Sequence, residues 1–152
     1  MLLKAIFAYF HYVSFIVMIC AMVIELVLFK QTLSRKTAKI IQKADMFLGI
    51  SAMSVIATGA IRFFYLEKGY EYYIANYLFV IKLILVLSIG LLSIYPTRVF
   101  IKWRKQLDQQ SDLQINYNEY LKIKRMIRLE VVLIFIIPLL AALASRGIGF
   151  GG

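Results

Sequence analysis

Residues 5–29 read AIFAYFHYVSFIVMICAMVIELVLF, a run in which only His11 and Glu25 are strongly polar. A helix that crosses the hydrocarbon core of a bilayer needs about 20 mostly apolar residues, so this stretch already decides the solvent in which the chain folds. Three more runs follow, over residues 45–66, 74–97 and 129–144. The 152-residue chain is 62% hydrophobic and 17% charged, with a mean hydropathy of +0.79. Soluble domains are roughly 45–50% apolar, and a domain of this length leaves too much surface wet to hide the excess. The expected fold is all-α, one integral membrane four-helix bundle spanning residues 1–152.

The first run is read as a retained helix. No small-x-small cleavage site follows it, and its apolar stretch is longer than that of a secretory signal. Ile19 before Cys20 also spoils a lipoprotein cleavage site. The single cysteine excludes an internal disulfide, and with the single histidine it excludes a Cys/His zinc cage.

Orientation follows from the basic residues. Lys30, Arg35, Lys36, Lys39 and Lys43 follow the first span, and Arg98, Lys102, Arg104, Lys105, Lys122, Lys124, Arg125 and Arg128 lie between the third and fourth. Both segments fall on one side of a four-span topology, which the positive-inside rule makes cytoplasmic. Both termini and the Glu67–Tyr73 loop then face outward. The +10 net charge is a topology signal, and no nucleic-acid partner is expected. Tyr9, Tyr12, Tyr65, Tyr70, Tyr72, Tyr73 and Tyr77 crowd the outer boundary, and Tyr95 and Trp103 are read as anchors at the inner one.

Between the third and fourth spans, residues 100–107 continue the helix past the membrane and Ser111–Asn116 is a polar break. Asn116 followed by Glu119 resembles a capping box and predicts that the last helix starts there. The expectation is a basic helical hairpin in the cytoplasm, either solvated or docking a soluble partner.

Charged groups inside spans are costly and face the bundle interior or a cavity. His11 and Glu25 share one helical face about 21 Å apart, with Phe15, Met18 and Met22 between them. On the second span, Gly49, Ala52, Ile56 and Gly59 form a small-residue face suited to close helix contact, beside Ser51, Thr58 and Arg62. By depth the polar groups sort into two layers. The inner one holds Glu25, Asp45 and Glu130 near Arg98, Arg125 and Arg128, a set that predicts interhelical ion pairs. The outer one gathers His11, Arg62, Lys82 and Arg146, with Glu67 and Glu71 in the loop nearby. Either these cations snorkel to lipid phosphates, or they form a pocket for a carboxylate-bearing haem, a quinone or a lipid headgroup. His11 is a packing group on one reading and a haem ligand or proton carrier on the other. With one histidine, haem would need His11 alone, a weak partner such as Met18, or two copies of the chain. Cys20 is read as a small core residue. Phosphate-binding glycine loops, hydrolase triads and HExxH zinc motifs are absent from the sequence.

His11-Tyr12 through Glu25-Leu26, Thr58-Gly59 with Arg62, Lys82-Leu83, Ser93-Ile94-Tyr95-Pro96-Thr97, Arg128-Leu129-Glu130, Pro138 and residues 144–149 together resemble an uncharacterised family of small bacterial four-helix membrane proteins, a domain of unknown function. More distantly, His11, Lys82-Leu83 and the Arg128, Glu130 and Pro138 set are similar to the four-helix membrane protoporphyrinogen oxidases. Leu129 stands where that family has asparagine, and the first helix lacks its tryptophan and proline–arginine exit. The resemblance implies haem- or porphyrin-associated redox or haem-handling work in the bacterial inner membrane. Haem b is then the expected cofactor, with His11 on the metal and Arg62, Lys82 and Arg146 on its propionates. The alternative is a non-catalytic accessory or assembly subunit, with the bilayer and a homodimer or larger membrane complex as partners. A transporter ranks last, because the Phe15–Met18–Met22 stripe interrupts any polar path.

Overall fold

The computed structural model describes residues 1–29, 33–66, 70–108 and 115–150. Lys30, Glu67 and residues 111–114 of the expected polar break lie outside the described residues. The elements are α1 (Leu2–Leu28), α2 (Arg35–Ile61) continued by a π-helical turn (Arg62–Leu66), a short α3 (Tyr70–Ile74), α4 (Tyr77–Asp108) and α5 (Tyr117–Ser145). Four of them are long and apolar enough to cross a membrane.

The helices depart from the expected spans at their ends, and the reasons are local. α2 begins ten residues before Asp45, because the Ser34 hydroxyl accepts the Thr37 N–H at 3.1 Å and caps it. Asn116 caps α5 as predicted, accepting the Asn118 N–H at 3.1 Å. The third run, expected to be continuous from Ile74, is broken at Asn76. The buried Asn76 Oδ1 accepts the N–H groups of Leu78 and Phe79 at 3.1 and 3.2 Å and so starts α4. Pro96 is buried within α4 and Pro138 lies exposed within α5; each removes one helical N–H without ending its helix.

Around the bundle the neighbours run α1, α2, α4, α5 and back to α1, which leaves α1 and α4 diagonal. α1 with α2, and α4 with α5, pack as two close hairpins. A middle core joins Met18, Ala21 and Met22 to Leu48, Ile89, Ile134 and Ile137. Outward-facing Ile16, Phe47, Ile50, Met53, Leu87, Leu91 and Leu139 are exposed. Apolar side chains there cost nothing in lipid, which is the contact such helices imply.

A second core lies at the basic end, where Phe29, Ala38 and Ile41 meet Val99, Phe100, Trp103, Leu107, Ile123 and Ile127. Phe29 stacks between Trp103 and Tyr120 at ring-centroid distances of 6.0 and 5.0 Å, and the Tyr120 hydroxyl donates to the Phe29 carbonyl at 2.7 Å. Arg35 reaches across to the Leu107 carbonyl, satisfying an orphan acceptor at the end of α4. The hairpin expected to project alone therefore packs against α1 and α2, and the basic end is a four-helix continuation of the bundle. Trp103 is 1% exposed, a core residue and not the interfacial anchor expected. Cys20, expected in the core, is exposed. Gly49 faces open space and Ile56 is exposed, so that small-residue face meets its neighbours through Ala52, packed on the middle core, and Gly59.

The opposite end is closed by residues 146–150. The Gly147 N–H bonds Ala144 O and the Ile148 N–H bonds Leu143 O, at 3.1 and 3.2 Å, with Gly147 at φ +83°. This pairing is a Schellman stop for α5. The chain then turns onto the α4 start, where Asn76 Nδ2 donates to the Ile148 carbonyl and the Tyr77 N–H to the Gly149 carbonyl, both at 2.9 Å.

Candidate functional site

At that same end α1 and α2 are laced by hydroxyl groups. Ser14 and Ser54 share a 2.7 Å hydrogen bond, and one turn away His11 Nδ1 lies 3.0 Å from Thr58 Oγ1. Thr58 also donates its hydroxyl proton back to the Ser54 carbonyl at 2.6 Å. A hydroxyl has one proton to give, so toward His11 the Thr58 oxygen is an acceptor and His11 Nδ1 carries the hydrogen. This arrangement favours the tautomer with the hydrogen on Nδ1, and the Val55 backbone also hydrogen-bonds the ring. Gly59 makes room for the ring: a β-carbon there would stand 3.2 Å from His11 Cε1.

Arg62 and Lys82 lie within electrostatic reach of His11 and of each other. The Arg62 guanidinium carbon is 5.3 Å from the Tyr12 ring centroid, and Lys82 Nζ stands 4.0 Å over the Phe79 ring. Phe79 in turn stacks on Phe63 at 5.5 Å and packs on Tyr73 at 4.7 Å. Three of the four residues expected in the outer layer are therefore brought together. Arg146 is exposed at the end of α5, and it is not among the charges that act on His11 or Lys82.

The inner layer differs from its expectation. Glu25 and Glu130 are each 1% exposed and Asp45 is half-buried, so all three point into the bundle. Thr97 donates to Asp45 Oδ1 at 2.6 Å and Ser93 to Glu130 Oε1 at 3.0 Å. Arg98, Arg125 and Arg128 are exposed, and among the described residues no arginine pairs with any of the three acids. The reason is helical rotation. Two residues turn a helix by about 200°, so Glu130 facing inward sends Arg128 out to the headgroups.

Between the layers the helix-one stripe runs through Phe15, Met18 and Met22, as its spacing predicts, into the apolar middle core. Sequence reasoning placed Thr58 on the correct helix without pairing it to His11, and it missed Ser14, Ser54 and Asn76. An asparagine just ahead of an apolar run is a helix-start signal, and that signal was there for Asn76. Among the described residues no three His, Cys, Asp or Glu side chains are gathered closely enough to cage a metal ion.

The family model described as "Predicted membrane protein (DUF2214)" matches residues 3–149, and the chain belongs to that family, a domain of unknown function. No curated protein and no solved structure matches the chain.

Proposed function

We propose that this membrane protein holds an electron-rich, anionic ligand at the His11 end of its bundle, haem or a related porphyrin, and serves haem handling or redox chemistry in the bacterial inner membrane. Family membership supplies no activity, so the reading rests on the site. The observation that carries it is the 3.0 Å pairing of His11 Nδ1 with the Thr58 hydroxyl, whose own proton goes to the Ser54 carbonyl; with its hydrogen on Nδ1, the imidazole would ligate through Nε2. A ligating histidine is oriented in this way, by a hydrogen bond on its other nitrogen. Arg62 and Lys82 beside it supply the charge that carboxylate side chains seek, and Arg146 at the same end is a third candidate.

The residues fit a single-histidine site. Met18 does not complete it, since it lies two turns along the same helix, about 10 Å away, and is buried in the middle core. A second ligand would come from another copy of the chain. When bound, haem would supply electron transfer or act as cargo; the chain's own part is to orient His11 and to hold the carboxylates. Thirteen of the 18 basic residues lie in the two segments at the opposite end, which favours both termini and this site outside the cytoplasm.

An absorption spectrum of the full-length protein purified from membranes tests the reading. A Soret band is expected in the wild type, lost in His11→Ala and weakened in Lys82→Ala. A colourless protein that gains no band on haem addition overturns it. The outcome then favours a non-catalytic accessory subunit, a reading supported by the Phe79 ring on which Lys82 rests. Reporter fusions at residue 112 and at the C-terminus test the orientation, with the first expected inside and the second outside.

A further inference from the structure

The carboxyl cluster at the opposite end of the stripe is absorbed neither by the His11 site nor by the packing. Glu25 comes from α1, Asp45 from α2 and Glu130 from α5, and the fields of the latter two act on Glu25. Among the described residues, what faces them is neutral or acidic. α4 offers the Ser93 and Thr97 hydroxyls, already spent on Glu130 and Asp45. The cations of these helices, Lys39 and Lys43 on α2, Arg98 on α4, and Arg125 and Arg128 on α5, are all exposed. Lys124 is drawn to the Tyr120 hydroxyl at 3.3 Å.

A second observation makes this more than a group of acids. Glu25 is 1% exposed, and among the described residues its Oε1 has no hydrogen-bond partner. An ionised carboxylate left unpaired in an apolar interior costs several kcal/mol, and carboxyl groups that share a site do not all ionise. The missing partner is therefore a positive charge or a hydrogen. The described acids are too dispersed to cage a metal ion, whereas a proton needs only one oxygen and removes the charge that burial penalises.

We propose that Glu25, Asp45 and Glu130 form a buried proton-binding site, in which Glu25 takes a proton from water and the negative fields of the other two carboxyl groups help to hold it there. The proton adds to a carboxylate oxygen and no other bond changes. Ser93 and Thr97 hold Glu130 and Asp45 in place as acceptors. The apolar core of Met18, Met22, Leu48 and Ile134 separates the site from His11, so the proton exchanges with the basic end of the bundle.

Infrared difference spectroscopy of the full chain in lipid nanodiscs reads this directly, through the carbonyl stretch of protonated carboxyl groups and its downshift in heavy water. At neutral pH the wild type should show that band, and the variants assign it to the cluster. Glu25→Gln should lower its amplitude by about half or more, and the triple change E25Q/D45N/E130Q should remove it. Raising the pH should abolish the band in the wild type and lower its melting temperature by more than that of the triple variant. The wild-type titration needs no variant to fold. Absence of the band at neutral pH overturns the proposal, as does a band that survives in the triple variant. Stabilisation by sodium chloride but not choline chloride, with no band, would assign a sodium ion and overturn the proton.

Discussion

His11 Nδ1 and Thr58 Oγ1 stand 3.0 Å apart and form a direct polar tie between α1 and α2 at the end of the bundle that carries Arg62 and Lys82. Interhelical hydrogen bonds inside membranes average about 0.6 kcal/mol and reach about 1.7. A double-mutant cycle of His11→Ala and Thr58→Val, followed by reversible unfolding from bicelles, should return a coupling in that range. Thr58→Ser keeps the acceptor and should retain most of it. A coupling of zero would mean that the imidazole is held by packing alone, and the tautomer argument would fall with it.

Two glycines on α2 separate helix propensity from fit. In an exposed helix interior, Gly→Ala gains about 1 kcal/mol. A β-carbon added at Gly49 would meet nothing within 4 Å, so Gly49→Ala should be neutral or stabilising. At Gly59 the same methyl stands 3.2 Å from His11 Cε1, and the ring has to move. Gly59→Ala should show less gain than Gly49→Ala, together with a displaced histidine ring resonance by NMR. Equal gains at both positions would show that His11 does not rest on Gly59.

What could be read in advance follows from the geometry of single helices. The spacing of His11, Phe15, Met18, Met22 and Glu25 places them on one face without reference to any neighbour, and the structure keeps that stripe inside. Depth along a helix is legible in the same way, which is why the polar groups sorted into two layers. Rotation about the axis is not. Glu130 and Arg128 have nearly the same depth, and only the packing of α5 decides that the acid turns inward and the arginine outward. Charge at a helix end also misleads. Residues 35–44 carry four cations and read as loop, yet they form the first turns of α2, because the Ser34 cap and the Phe29–Trp103 core hold them there.

The C-terminal clasp makes a sharp contrast between neighbouring glycines. Gly147 adopts φ +83° with open space around it, so Gly147→Ala should cost only the left-handed backbone penalty of about 1–2 kcal/mol. Gly149 has φ +103°, and a β-carbon there would lie 2.6 Å from Asn76 Oδ1 and 2.8 Å from Leu78 Cγ. Gly149→Ala should therefore break the clasp, exposing the Asn76–Leu78 amides to hydrogen exchange and lowering the unfolding midpoint well beyond the Gly147 variant. Similar effects at the two positions would argue that the tail does not seat on Asn76.

Trp103 is the only tryptophan in the chain, so its fluorescence reports on a single place. An anchor at the headgroup level would be partly wet, reachable by aqueous quenchers and sensitive to brominated lipids. The observed site is instead 1% exposed, with Phe29 stacked at 6.0 Å and Phe100 at 5.1 Å. Emission should be blue-shifted and protected from iodide and from brominated acyl chains alike. Truncating such a residue removes both transfer and cavity terms, about 3–5 kcal/mol for a large aromatic side chain. Trp103→Ala should loosen the basic end as a unit, raising proteolysis around Phe29, Ile41 and Ile123, while Trp103→Phe should preserve most of the packing. Ready iodide quenching in the wild type would return Trp103 to the membrane surface and leave the four-helix extension without its centre.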